Sequence, residues 1–197
     1  MTTWLHEERL RAVEDAVRAC QAGTVLDLGC GDGDMFLRLA MDGTITRLVG
    51  LDICVSSLTR LRQRLARMVA CVPQIEVVEG SMIAPPAGLI GFDCALLVET
   101  IEHIPPSHLS RLENALFRSL RPASVIVTTP NAEFNPLLGV PATRFRHPDH
   151  QFEWTRAKFR HWASRAASVG GYGVAFQDIG GLHPDFGGAS QMAVFRR

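Results

Sequence analysis

The sequence has no long hydrophobic run. No stretch reaches the roughly 18 consecutive apolar residues that a membrane-crossing helix needs, so no part is expected to enter a bilayer. Met1–Arg11 is charged and amphipathic, and it lacks the apolar segment and small-residue cleavage site of a secretory leader. The 5 cysteines (Cys20, Cys30, Cys54, Cys71 and Cys94) are odd in number, and no two form a CxxC pair. Neither a disulfide framework nor a zinc knuckle is expected, and free thiols in a reducing cytoplasmic compartment are the plain reading. An excess of charge is missing too, since 20 basic residues balance 20 acidic ones. That balance argues against sequence-blind wrapping of a nucleic acid duplex, while leaving room for a small footprint on a local basic face. No internal repeat, low-complexity tract or linker interrupts the chain. What is present is an ordinary globular composition, 47% apolar and 20% charged, in 197 residues. Residues 1–197 therefore read as a single domain with one sizeable core.

Periodicity predicts alternating helices and strands. Residues 3–20 read as a helix with Leu5, Leu10, Val13 and Val17 near one face. Thr24–Leu28 reads as a strand running into Gly29-Cys30-Gly31-Asp32-Gly33, with a helix from about Asp34 to Met41. Further strands are expected at Leu48–Leu51, Ile75–Val78, Phe92–Val98 and Ser124–Thr129, and helices at Val55–Val69 and Ser107–Leu120. Residues 132–154 show no period and read as a functional insertion. A helix over Arg156–Val169 is capped by Thr155, with Trp154 placed to staple onto Phe159. Val174–Ile179 and Ser190–Phe195 close the chain as two strands. The expected class is α/β, a seven-stranded mostly parallel sheet with a closing antiparallel hairpin. In such sheets ligands bind beyond the carboxyl ends of the strands, which is where Gly29–Gly33, Asp52, Ser81, Glu99 and Asn131 fall.

Val25-Leu-Asp27-Leu-Gly29-Cys-Gly31-Asp-Gly33-Asp34 is a strand, a glycine loop and a helix start. Glycines allow close approach of the backbone to a ligand. Asp52 follows about twenty residues on, at the end of the next strand, where a carboxylate can accept two ribose hydroxyls. The dinucleotide pattern GxGxxG is not met, because Asp34 stands where its last glycine belongs. Acid around the loop suits the cationic amino acid end of S-adenosylmethionine better than a pyrophosphate. The segment resembles motif I of the class I methyltransferases, which implies cofactor contacts from Asp27, Gly29, Gly31 and Asp52. It further implies adenine contacts from Ser81 and Met82, although many members carry Asp where Ser81 stands and Met82 serves as readily in core packing. Cys30 reads as a small loop residue.

Glu99-Thr-Ile-Glu102-His103 begins where the fourth strand ends. If the chain turns helically there, positions i, i+3 and i+4 share one face, and two carboxylates with an imidazole are natural ligands of a divalent ion. The same turn also resembles class I enzymes acting on small molecules, quinone-type O-methyltransferases among them. A later segment discriminates: Arg144-Phe-Arg-His147-Pro-Asp-His150-Gln-Phe-Glu-Trp-Thr-Arg156, after Thr128-Thr-Pro-Asn131. With the earlier turn, its Asp149–Arg156 string resembles the small-RNA 3′-terminal 2′-O-methyltransferases, the HEN family, over nearly the whole chain.

That resemblance implies a metal held by Glu99, Glu102, His103 and His150, with His147 as a nearby surface or RNA-facing residue. It implies methyl transfer from S-adenosylmethionine to the 2′-hydroxyl of an RNA 3′-terminal nucleotide, in 3′-end protection or in RNA repair beside a kinase–phosphatase–ligase protein. Four protein ligands leave two places in a six-coordinate shell, which the 2′,3′-diol of a terminal ribose matches. Mixed carboxylate and imidazole ligation suits Mn²⁺ or Co²⁺ somewhat better than Mg²⁺. His103 or His150, when not holding the ion, is a candidate proton acceptor, and loss of the proton to solvent is the equal alternative. Arg144, Arg146, Arg156, Lys158, Arg160 and Arg165 form the one positively biased region, expected to guide the RNA backbone.

Overall fold

The structure is a computed structural model and describes residues 4–197. The expected start of the first helix at residue 3 lies outside the described residues. Seven strands form one sheet: β1 (Thr24–Leu28), β2 (Arg47–Asp52), β3 (Gln74–Glu79), β4 (Cys94–Val98), β5 (Ser124–Pro130), β6 (Gly173–Ile179) and β7 (Ser190–Arg196). Their spatial order is β3-β2-β1-β4-β5-β7-β6. Five strands run parallel, and β7 inserts antiparallel between β5 and β6. The order reverses between β1 and β4, which opens a crevice at their carboxyl ends, the usual ligand position of such sheets.

Both sheet faces are covered, so the central strands read as continuous apolar runs rather than alternations. Helices α1 (Trp4–Ala19), α2 (Asp34–Leu39) and α3 (Val55–Leu65) cover one face. There Leu10, Val13, Phe36 and Leu58 pack on Val25, Leu48, Leu96 and Ile126. On the other face α4 (Leu109–Asn114) and α5 (Arg156–Gly170) bring Leu112, Phe159 and Trp162 onto Leu26, Leu51, Leu97 and Val127. Among the described residues no helix is long and apolar enough to cross a membrane.

Two expectations change in detail. The helix expected over Ser107–Leu120 is α-helical only over Leu109–Asn114. A 3-10 turn precedes it, and Ala115–Leu120 widens to a π-helix, with Arg121 N donating to Leu116 O and Arg121 itself left-handed at φ 47. Trp154 stacks on Phe152 at 4.2 Å between ring centroids and tilts against Trp162 at 5.5 Å. Its aromatic partner on α5 is thus Trp162, further along the helix than the expected Phe159. Thr155 caps α5 as expected, accepting from Lys158 N.

The insertion over residues 132–154 begins as a 3-10 helix, Ala132–Leu138, and is irregular after Gly139. It is tied down at both ends. Ala132 N donates to Trp154 O, and Gln151 N donates to Glu102 O at 2.7 Å. Phe134, Phe152 and Trp154 are buried, so these aromatics pack the insertion rather than offer it to a ligand.

Candidate active site

The cofactor cleft is built by the turn after β1. Gly29 has φ +80, and a Cβ there would stand 2.2 Å from Thr100 Cγ2 and 3.1 Å from Met82 Cε. Only glycine permits this approach to the turn after β4. Gly31 also has positive φ, but a Cβ there would meet nothing within 4 Å. Asp52, at the end of β2, braces the loop by accepting from Gly31 N at 2.8 Å and from Cys54 N at 2.7 Å. A cavity of about 610 Å³ opens beside it, with Asp52, Ser81, Met82, Gly29, Glu99 and His103 in its lining. A second recess of about 180 Å³ shares Gly29 and Glu99 with the first and reaches Asp27. The two form an elongated cleft, so five of the six cofactor residues expected from the sequence line it, while Gly31 forms the loop between Asp52 and α2.

Asp27 is 2% exposed, and its Oδ2 has no partner among the described residues. Burial, followed by the nearby charge of Asp52, pushes its carboxyl up to about 7. A buried carboxylate lacking a donor is a natural acceptor for an ammonium group. Cys30 is buried, and burial pushes its thiol up, which keeps it unreactive.

Beyond β4 the chain makes a tight turn. Glu99 is left-handed at φ 52, and Ile101–His103 forms a 3-10 turn. Glu102 is fully buried; Thr129 Oγ1 on β5 donates to its Oε2 at 3.0 Å, and Oε1 has no partner among the described residues. Burial, and next the Glu99 charge, raise its carboxyl well above the usual range. Glu102, His103 and His150 offer ligand atoms that all lie within 4.8 Å of one another. The His103 and His150 rings stand edge to face, 4.8 Å between centroids. Burial and then the facing His150 lower the pKa of His103, which favours the neutral imidazole that a metal or a proton requires. His147 lies at the rim, exposed, with its ring 6.0 Å from that of His103.

Glu99 stands beside this cluster rather than within it. Its Oε2 accepts from Arg9 Nη1 and Ser190 Oγ, both at 3.3 Å, and its Oε1 is buried without a partner among the described residues. The insertion orients His150. Its Nδ1 meets Glu153 Oε1 at 2.6 Å, and Glu153 also accepts from Asn135 Nδ2 and Arg146 N. A carboxylate at Nδ1 selects the tautomer with a proton there and leaves Nε2 for an ion.

Four participants were not read from the sequence: Arg9, Thr129, Glu153 and Ser190. Glu153 had a signal, three residues after His150 in the same string. Thr129 lies in the Thr128-Thr-Pro-Asn131 segment, while Arg9 and Ser190 come from separate elements and had none. Asn131, expected near the ligand, is a buried brace, donating to Phe186 O and Gly188 O and accepting from Glu133 N. The basic region also needs correction. Arg146 turns inward to the carbonyls of Asn131 and Ala189. Arg156 pairs with Glu133 at 2.8 Å, and Arg165 with Glu113 at 2.6 Å.

Comparison with known proteins agrees with this geometry. Residues 25–123 match a family model described as a methyltransferase domain. The methyltransferase domain of bacterial CtHen1 superposes with a TM-score of 0.86 at 34% identity, over 98% of this chain and 100% of that one. The chain belongs to the Hen1 methyltransferase family. A curated relative from Gallus gallus, the small RNA 2′-O-methyltransferase, is 36% identical over 97% of the Hen1-type chain and 53% of its own length. The chain thus spans about half the length of the curated relatives it matches. A chain of the Pnkp1/Rnl/Hen1 RNA repair complex shares the Hen1 fold, with a TM-score of 0.72 at 21% identity, over 100% of this chain and 42% of its own.

Proposed function

We propose that the chain transfers the methyl group of S-adenosylmethionine to the 2′-hydroxyl of an RNA 3′-terminal nucleotide, with the help of a divalent ion. The observation that carries the reading is Glu102. Among the described residues it is a fully buried carboxylate with one oxygen unpaired, and it faces two imidazoles. A buried anion of this kind is costly unless a cation meets it, and carboxylate with imidazole is a donor set for Mn²⁺, Co²⁺ or Mg²⁺. Glu102, His103 and His150 would hold the ion, and Glu99 would complete the set through its unpaired Oε1. The ion supplies Lewis acidity, which lowers the pKa of a hydroxyl.

The chain's residues supply the rest. Asp52 receives the ribose hydroxyls of the cofactor, Ser81 and Met82 flank the base, and Asp27 faces the ammonium of the methionine end. These placements set the sulfonium methyl in the cleft beside the cluster, and holding both reactants in register supplies much of the acceleration. The 2′-oxygen attacks the methyl carbon, the carbon–sulfur bond pair returns to sulfur, and S-adenosylhomocysteine leaves. The hydroxyl proton is released to solvent, because the imidazole lone pairs of His103 and His150 that could accept it are the ones that would hold the ion. Glu153 fixes the His150 ring throughout. The proposal extends to a place in RNA repair beside a kinase–phosphatase–ligase protein, while the likeness to a chain of the Pnkp1/Rnl/Hen1 complex bears on the fold alone.

The test is incubation with labelled S-adenosylmethionine, Mn²⁺ and a short RNA. Label is expected on RNA ending in a 2′,3′-diol, none on RNA ending in a 2′-deoxy sugar or a 3′-phosphate, and none in the presence of a chelator. Glu102→Ala and His150→Ala each abolish transfer while leaving S-adenosylhomocysteine affinity nearly intact. Label on a small quinol but not on RNA would overturn the reading, as would full transfer in the presence of the chelator.

A further inference from the structure

Arg9 lies between two sites that the chemistry treats as separate. It projects from the first turns of α1 into the 180 Å³ recess, whose lining includes His6, Asp27, Gly29, Asp34 and Glu99. Through Nη1 it holds Glu99 Oε2 at 3.3 Å, and both side chains are only 18% exposed. Through Nη2 it meets His6 Nδ1 at 2.6 Å, while His6 Nε2 lies 3.3 Å from Asp34 Oδ2. A single neutral tautomer of His6, accepting at Nδ1 and donating from Nε2, satisfies both contacts. A continuous chain of polar contacts therefore runs from Asp34, at the start of α2, through His6 and Arg9 to Glu99. Among the described residues Arg9 Nε is buried and has no partner.

The two ends of this chain meet different ligands. The amino acid end of S-adenosylmethionine carries an ammonium and a carboxylate. Asp27 answers the ammonium. Arg9 is the permanent cation in the lining of the recess, and its unpaired Nε is a donor in search of an anion. At the other end, Glu99 is wanted by a cation. While Arg9 holds Glu99 Oε2, the guanidinium competes with any ion approaching that carboxylate and repels it.

We propose that Arg9 couples the two ligands: the cofactor's carboxylate draws the guanidinium toward the recess, which loosens its grip on Glu99 and makes that carboxylate available to the divalent ion. Arg9 is on this account a positioning residue acting through Glu99, and cofactor and ion bind with positive cooperativity. The inference rests on the proposed reading of the cleft and the cluster. It goes beyond that reading in assigning a link between them.

Linkage makes the coupling reciprocal, so one factor describes both ligands. Titration calorimetry with Mn²⁺ is carried out on the intact chain alone, with saturating S-adenosylhomocysteine, and with 5′-methylthioadenosine, which lacks the amino acid end. S-adenosylhomocysteine tightens Mn²⁺ binding at least about fivefold, the lower range of known couplings, and methylthioadenosine leaves it unchanged. Arg9→Met and Glu99→Gln each bring the factor to about one, with unaltered methylthioadenosine affinity reporting that the cleft is folded. Equal Mn²⁺ affinity with the two nucleosides would overturn the coupling, and so would an undiminished factor in Arg9→Met. If S-adenosylhomocysteine and Mn²⁺ both bind but ignore each other, only the coupling falls. If neither binds, the reading of the site falls with it.

Discussion

Asp27 shows how burial can make a side chain sensitive to pH near neutrality. Its carboxyl is pushed up to about 7, first by burial and then by Asp52. A raised acid pKa means the folded state binds the proton more tightly than the unfolded chain. The contribution of Asp27 to the stability of the ligand-free fold is therefore present at low pH and is lost as pH rises from the ordinary 3.8 through about 7. Cofactor binding has the opposite sign, because only the ionised carboxylate attracts an ammonium group. S-adenosylhomocysteine should bind more tightly at pH 8 than at pH 6, by roughly tenfold if the free and bound pKa values differ by more than one unit. In Asp27→Asn the affinity should be weaker and flat over that interval. Calorimetry at the two pH values checks both, and a wild-type affinity that does not change would remove Asp27 from the ammonium site.

At the scale of elements, the insertion over residues 132–154 is held by one inward-turned arginine. Arg146 donates to the main-chain carbonyls of Asn131 and Ala189 and to Asn135 Oδ1, while its own amide donates to Glu153. The sequence suggested a phosphate-facing residue, because density of charge says nothing about direction. Arg146→Met strips donors from carbonyls that water reaches poorly, at about 1–3 kcal/mol for each group left unpaired. Urea unfolding should show a loss on the order of 2 kcal/mol. Mn²⁺ affinity should fall because Glu153 and His150 lose their support, whereas S-adenosylhomocysteine affinity should hold. A variant with normal Mn²⁺ affinity would show that the clamp does not serve the cluster.

The same contrast explains what could be read from the residues alone. The glycine loop, Asp52, the Glu99–His103 turn and the Asp149–Arg156 string are local signals, each with a spacing that fixes its chemistry. The sheet was legible for a similar reason, since apolar runs separated by turn residues define strands without knowledge of their neighbours. Arg9 and Ser190 were not legible, because they reach Glu99 across 90 and 91 residues of sequence. Ser190 stands at the start of β7, which adjoins β5 only once the closing hairpin has folded back into the sheet. The π-helix over Ala115–Leu120 was hidden too. Its apolar spacing reads as an ordinary helix, and the widening shows only in the bond from Arg121 to Leu116.

For the whole molecule, neutrality and the paired arginines together limit how the RNA of the proposed reaction would be held. Of the six basic residues expected to guide a backbone, Arg146, Arg156 and Arg165 are hydrogen-bonded to protein acceptors, and Arg160 lies 4.0 Å from Asp178. Arg144 and Lys158 remain exposed in the same region. Each neutralised phosphate of a single strand contributes about −0.7 to the slope of log affinity against log salt. A slope between about −1 and −2 is expected for a short single-stranded RNA, corresponding to two or three phosphates at most. Fluorescence anisotropy over a salt series measures it, and a slope near −4 would mean that a larger basic surface forms on binding.

The hydrogen bond from Gln151 N to Glu102 O joins the Glu102–His103 turn to the loop that carries His150 through main chain alone. His150 is the residue before this clasp, so it cannot swing away while the clasp is closed. The backbone hydrogen at Gln151 is expected to trade with deuterated solvent only as often as this clasp comes apart.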